Sequence, residues 1–190
     1  MRYMLKAIFL WIYRMDFHEA LILLAVFTGL FYAAGVIWGQ KRIWKSAVIL
    51  ALFIWAASVV IRTIFQRTPD ASLQPVWQPF RSYVDALKED GQKELLRSNF
   101  MNAVLFYPAG LLLASLLPEK WHAGKRLLIV LLLCTHLSLA IELTQYRYCL
   151  GLAQTDDVIH NAMGACLGAV VFLVIPKVIK QIRIRRGAIV

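Results

Sequence analysis

Five stretches of the chain are apolar for long enough to cross a bilayer, and the polar residues that interrupt them gather at their ends. A membrane span needs about 20 mainly apolar residues. The pattern places spans at roughly 19–39, 46–65, 100–117, 126–145 and 157–176. The third is short and contains Pro108. Proline removes a backbone donor and kinks helices, but neighbouring helices can satisfy the freed carbonyl, so the segment stands as a span. Residues 3–13 are apolar yet too few to cross as a helix, and Arg14 follows them. An interfacial or re-entrant segment over 1–18 is predicted there. No small-residue cleavage site follows it (Arg14, Asp16, His18 and Glu19 come instead), so the segment is expected to be retained. In the second loop, residues 83–98 set Tyr83, Val84, Leu87, Leu95 and Leu96 against Lys88, Glu89, Asp90 and Glu94. That is a short amphipathic helix, lying over the polar residues as a lid or resting at the lipid interface. The predicted fold class is all-α: a polytopic membrane helix bundle of five transmembrane helices plus these two accessory helices. Residues 19–176 form the transmembrane domain, and 177–190 a basic cytoplasmic tail.

Composition agrees with this pattern. Of 190 residues, 60% are hydrophobic, against about 45–50% in a soluble domain, and the mean hydropathy is +0.63. No large water-soluble domain fits beside the spans. The net charge of +10 raises nucleic acid or anionic lipid as partners. The lysines and arginines lie at span ends and in the tail rather than on one soluble face, which excludes nucleic acid and leaves membrane lipids. Cys134 and Cys166 lie in apolar runs and Cys149 in a loop. An odd count without ligand spacing supports neither a disulfide framework nor a zinc site.

Orientation follows from the basic residues. The tail (Lys177, Lys180, Arg183, Arg185, Arg186), the first loop (Lys41, Arg42, Lys45) and the third loop (Lys120, Lys125, Arg126) carry eleven between them. The positive-inside rule makes these segments cytoplasmic and puts residues 66–99 and 146–156 outside. Arg2, Lys6 and Arg14 conflict with this unless residues 1–18 re-enter or span. Nearly every chemically interesting residue then falls on the outer side.

Helical spacing sharpens that side. Thr135, Ser138, Glu142 and Gln145 share one face of the fourth span, and Asp157, Asn161, Gly164 and Gly168 share one face of the fifth. A charged residue at the centre of a membrane helix costs roughly 2.5–3.5 kcal/mol, less near the ends, so residues kept there mark sites. Glu142 and Asp157 are the candidate catalytic carboxylates. Arg67, Asn102, Gln145, Arg147, Asp156 and Asn161 are candidate substrate-binding residues. The bland alternatives are an ion pair with Arg62, Arg67 or Arg147 for the carboxylates, a cap at the start of the fifth span for Asp156, close packing for Gly164 and Gly168, and a satisfied structural role for His160. His136 lies mostly off the polar face. Glu142, Asp156 and Asp157 would suit magnesium, but no spacing demands a metal and no Walker, HExxH or GxSxG pattern occurs. The site is read as metal-free and cofactor-free.

The ordered set Arg67-Thr68, Pro79-Phe80, Asn102, Phe106-x-Pro108-x-Gly110, Ile141-Glu142-x-x-Gln145, Asp156-Asp157-Val158-Ile159-x-Asn161 and Gly164-Ala165-x-x-Gly168 resembles the VanZ-like family of small membrane proteins, associated with resistance to teicoplanin. The resemblance covers roughly residues 62–175. It implies a multi-pass protein of the bacterial cell membrane and an envelope function at the outer surface. It also implies glycopeptide protection, with lipid-linked cell-wall precursor or the glycopeptide itself as partner. The family pattern carries an Arg and a further Asp just ahead of the paired aspartates. Here Gly151 and Gln154 stand in those places, with Arg147 as the substitute cation from a longer loop. Three functions stay open: a non-enzymatic envelope protein that alters antibiotic access, an intramembrane enzyme on a phosphorylated or lipid head group, and a small transporter or flippase. An enzyme would use Glu142 or Asp157 as general acid or base and Arg67 or Arg147 to hold phosphate.

Overall fold

The computed structural model describes residues 17–38, 42–72, 74–88 and 93–187. The interfacial segment expected over 1–18 lies outside these, apart from its last two residues. Six α-helices occur among the described residues: α1 (Phe17–Trp38), α2 (Arg42–Val60), α3 (Arg81–Lys88), α4 (Lys93–Leu116), α5 (Ala123–Tyr148) and α6 (Thr155–Gly187). A π-helical turn, Ile61–Phe65, extends α2. Five helices are long and apolar enough to cross a membrane: α1, α2 with its π turn, α4, α5 and α6. Leu132, Leu139 and Leu143 on α5 and Leu50 and Phe53 on α2 are exposed, as side chains facing lipid should be.

Three boundaries differ from the expected ones. The amphipathic stretch 83–98 falls on two described helices. α3 ends at Lys88 and α4 begins at Lys93, with 89–92 outside the described residues. The first turns of α4 are polar because they carry Lys93, Glu94, Arg97 and Asn99, and a hydropathy window therefore starts the span too late. The last helix runs through Pro176 to Gly187, so the basic tail, as far as it is described, continues α6.

The chain forms two compact units, Met1–Ser46 and Ala47–Val190. In the first, Phe31 of α1 packs on Trp44 with ring centroids 5.2 Å apart. The second carries the core, where Val59, Phe106, Val130, Cys134 and Ile141 are buried together. The α4–α6 pair is its closest contact, and glycine makes that contact possible. A Cβ on Gly164 would stand 1.9 Å from the Ala103 carbonyl oxygen, and one on Gly110 1.8 Å from that of Ala165. Each helix therefore lays a bare backbone patch on the other, the arrangement that small residues permit in membrane bundles. Trp55 ties α2 to the pair by donating from Nε1 to the Leu105 carbonyl at 2.8 Å.

Candidate functional site

The ends of α2 and α5 and the starts of α3, α4 and α6 meet at one end of the second unit. Two loops close it and are stitched to each other. Asp70 N–H donates to the Cys149 carbonyl at 2.7 Å, Val76 N–H to Ala153 at 2.9 Å, and Thr155 N–H to Val76 at 3.1 Å. Val76 and Gln154 thus form a single parallel bridge. The Ser72 hydroxyl and N–H hold the exposed Asp70 carboxyl below its ordinary range and shape the turn. α5 stops where Cys149 adopts left-handed backbone (φ 53) and Leu150 N–H returns to the Gln145 carbonyl at 2.9 Å.

Asp156 is a cap, but of another helix. It sits in the first turn of α6, is almost fully buried, and turns its carboxylate onto the start of α3. Oδ1 accepts from Phe80 N–H at 2.5 Å and Oδ2 from Ser82 N–H at 2.9 Å. The Ser82 hydroxyl also donates to Oδ2, and Asn99 Nδ2 donates to that hydroxyl at 2.7 Å. A carboxylate at a helix N-terminus satisfies orphan donors and the helix dipole together. The cap expected for α6 therefore serves a helix 74 residues earlier. His160 completes the fastening. Its Nδ1 lies 2.6 Å from the Asp156 carbonyl, which can only accept, so Nδ1 carries the proton. Nε2 then accepts from the Tyr83 hydroxyl at 2.6 Å. His160 is a satisfied structural histidine.

The remaining candidates lie beside this fastening. Glu142 Oε2 accepts from Gln154 N–H at 2.8 Å. Glu142 and Asp157 interact electrostatically with each other, and Arg67 with both. Arg67 is aimed by Gly151. That residue has φ 140, and a Cβ there would stand 2.1 Å from an Arg67 terminal nitrogen. Gln145 donates from Nε2 to the Thr63 carbonyl in the π turn at 2.9 Å, so its Oε1 is the atom left over. Asn161 donates to the Ser138 hydroxyl at 2.8 Å. Asn102 stands beside Asp157, yet neither Asn102 Nδ2 nor Asp157 Oδ1 completes a hydrogen bond of good geometry. With Gln145 Oε1 and Asn161 Oδ1 they make four buried polar atoms without partners. A buried unsatisfied group costs about 1–3 kcal/mol. One donor and three acceptors from α4, α5 and α6 can engage a ligand that brings hydroxyls or other donors.

The sequence pattern of these residues belongs to a recognisable group. The family model described as VanZ/LLP1 matches residues 20–176. The chain belongs to the VanZ/LLP1 family. No curated protein and no solved structure matches it. Membership makes it a VanZ-like membrane protein. The guanidinium that occupies the side-chain space of position 151 in this VanZ-like chain belongs to Arg67. Arg147, the candidate substitute, is exposed, and its guanidinium lies 5.8 Å from the Tyr148 ring centroid. Arg147 also lines a cleft of about 350 Å³ with Gln74, Pro75, Tyr146, Cys149 and Gly151. Among the described residues, no group of three or more His, Cys, Asp or Glu is placed to hold a metal ion. Sequence reasoning missed Ser82 and the Tyr83–His160 pair. Their only local signal is the Pro79-Phe80 turn opening a helix, because the partners lie on α6.

Proposed function

We propose that this VanZ-like protein is a site-bearing envelope protein whose polar end faces outward. It acts on or beside lipid-linked envelope components, and protection against glycopeptides is its physiological output. The observation that carries this reading is the polar cluster of Asn102, Gln145, Asp157 and Asn161 at one end of three helices, where Asn102 meets Asp157 and the buried Gln145 Oε1 and Asn161 Oδ1 have no partner. Buried polar groups are normally hydrogen-bonded, so a cluster of this kind is where a ligand or water would add partners. The outward assignment rests on the basic first loop, third loop and tail. Teicoplanin susceptibility tests the reading in a sensitive bacterium expressing wild type or Asp157→Asn at matched membrane levels. Wild type should protect, and the variant should return to the susceptibility of cells without the protein. An unprotected wild-type strain would remove the glycopeptide output, and full protection by Asp157→Asn would remove the site.

The interacting pair Glu142 and Asp157, with Arg67 beside both, supports a second reading as an intramembrane enzyme on a phosphorylated head group. Two carboxylates in one site are suited to general acid and base roles. In that case Asp157→Asn stops turnover and still binds substrate. A binder instead loses affinity.

A further inference from the structure

The cleft beside Arg147 adjoins the carboxylate site across Gly151 and Arg67. Its walls come from the loop after α2 and from the end of α5 with the loop that follows. At about 350 Å³ it falls within the size range of small-ligand pockets, about 300–1,000 Å³. No acidic side chain lines it: beside Arg147 stand Gln74, Pro75, Tyr146, Cys149 and Gly151. A second cation lies just behind the wall, because the Arg67 guanidinium packs against Gly151. The nearest loop carboxylate, Asp70, is engaged by Ser72. The cleft lining thus carries one guanidinium, Arg147, and no carboxylate, with the Arg67 guanidinium behind Gly151. Arginine suits phosphate, which its planar fork of donors can bind at two oxygens. The rim supplies depth: Tyr146 pairs edge-to-face with Trp77 at 5.5 Å, and both rings are about half exposed. Tyrosine and tryptophan of this kind mark the membrane–water interface, the level of lipid phosphates.

We infer that this cleft binds the phosphate of an anionic phosphate ester, with Arg147 in direct contact and Arg67 behind Gly151 adding charge. Resting on the function proposed above, this names the ligand class of that same end of the protein. Phosphate sits in the cleft, and the rest of the head group reaches past Arg67 towards Glu142 and Asp157. A lipid phosphate and a free phosphate share this chemistry.

Cys149 lines the cleft and provides the test. In full-length protein carrying Cys134→Ala and Cys166→Ala, maleimide alkylation of Cys149 is timed in a neutral detergent. Dodecyl phosphate, inorganic phosphate or dodecyltrimethylammonium is then added. Dodecyl phosphate should slow alkylation at least tenfold, and Arg147→Gln should abolish that protection. Protection by dodecyl phosphate alone identifies a lipid source. Equal protection by inorganic phosphate identifies a free one, and either supports the assignment. An unchanged rate with both phosphates, equal protection by the cationic amphiphile, or protection that persists in Arg147→Gln overturns it. If alkylation is never slowed while Asp157→Asn still sensitises cells, the cleft assignment falls and the proposed function stands. If dodecyl phosphate protects but Asp157→Asn leaves glycopeptide susceptibility unchanged, the reverse holds.

Discussion

Replacing Asp156 with alanine should release α3 while leaving the membrane bundle folded. The Asp156 carboxylate accepts three hydrogen bonds, from Phe80 N–H, Ser82 N–H and the Ser82 hydroxyl. Ser82 is itself buried, so its two donors lose their acceptor and find little water. Each such group costs about 1–3 kcal/mol, and breaking one side of a buried charged network costs about 3–5 kcal/mol. The loss falls on the attachment of an eight-residue helix, which cannot hold itself together in water. The α4–α6 contact is untouched. The expected outcome is local opening over residues 80–88. A loss of about 4 kcal/mol corresponds to an opening equilibrium raised about a thousandfold. Hydrogen exchange followed by mass spectrometry, in detergent, reads this directly. Amides 82–84 should lose about three orders of magnitude of protection while those of α4 and α6 keep theirs. Unchanged exchange at 82–84 would refute the capping argument, and uniform loss across α4 and α6 would refute its locality. Asp156→Asn should fall between, since one amide oxygen accepts and the amide nitrogen cannot.

Gly164→Val should abolish monodisperse protein after detergent extraction, because its Cβ meets the Ala103 backbone at 1.9 Å and overpacking of this kind costs about 3 kcal/mol or more. Normal yield and Tm would mean the helices slide apart freely. Gly151→Ala should cost about 1–3 kcal/mol through its φ of 140 and displacement of Arg67. Arg67→Gln in the same chain should recover the part due to the clash, and strictly additive losses in a double-mutant cycle would remove Arg67 from that role. Gln145→Leu should lower stability by about 1–3 kcal/mol by stripping the Thr63 carbonyl of its donor, and thermal unfolding in detergent checks it.

The spans, the helix faces and the gathering of polar residues at one end were legible in the sequence because they depend on local sums. Hydropathy over twenty residues decides insertion, and a 3.6-residue period decides which of Ser138, Glu142 and Gln145 share a face. The Gly164–Gly168 pattern likewise announced a close helix contact, though only the structure shows α4 to be the partner, with Gly110 answering it. The tertiary structure alone decided what each polar group does. Asp156 and Asp157 are neighbours of identical type, yet one is consumed by the start of α3 and the other keeps a buried oxygen free. That difference depends on Ser82, 74 residues away, and no local pattern reports it. That the guanidinium packed against Gly151 comes from Arg67, in another loop, follows for the same reason. A side chain's position follows from how the loops bridge at Val76 and Gln154, a pairing between segments far apart in sequence. Membrane insertion is a property of segments, whereas hydrogen bonding and charge in a site are properties of distances, and distances exist only once the chain has folded.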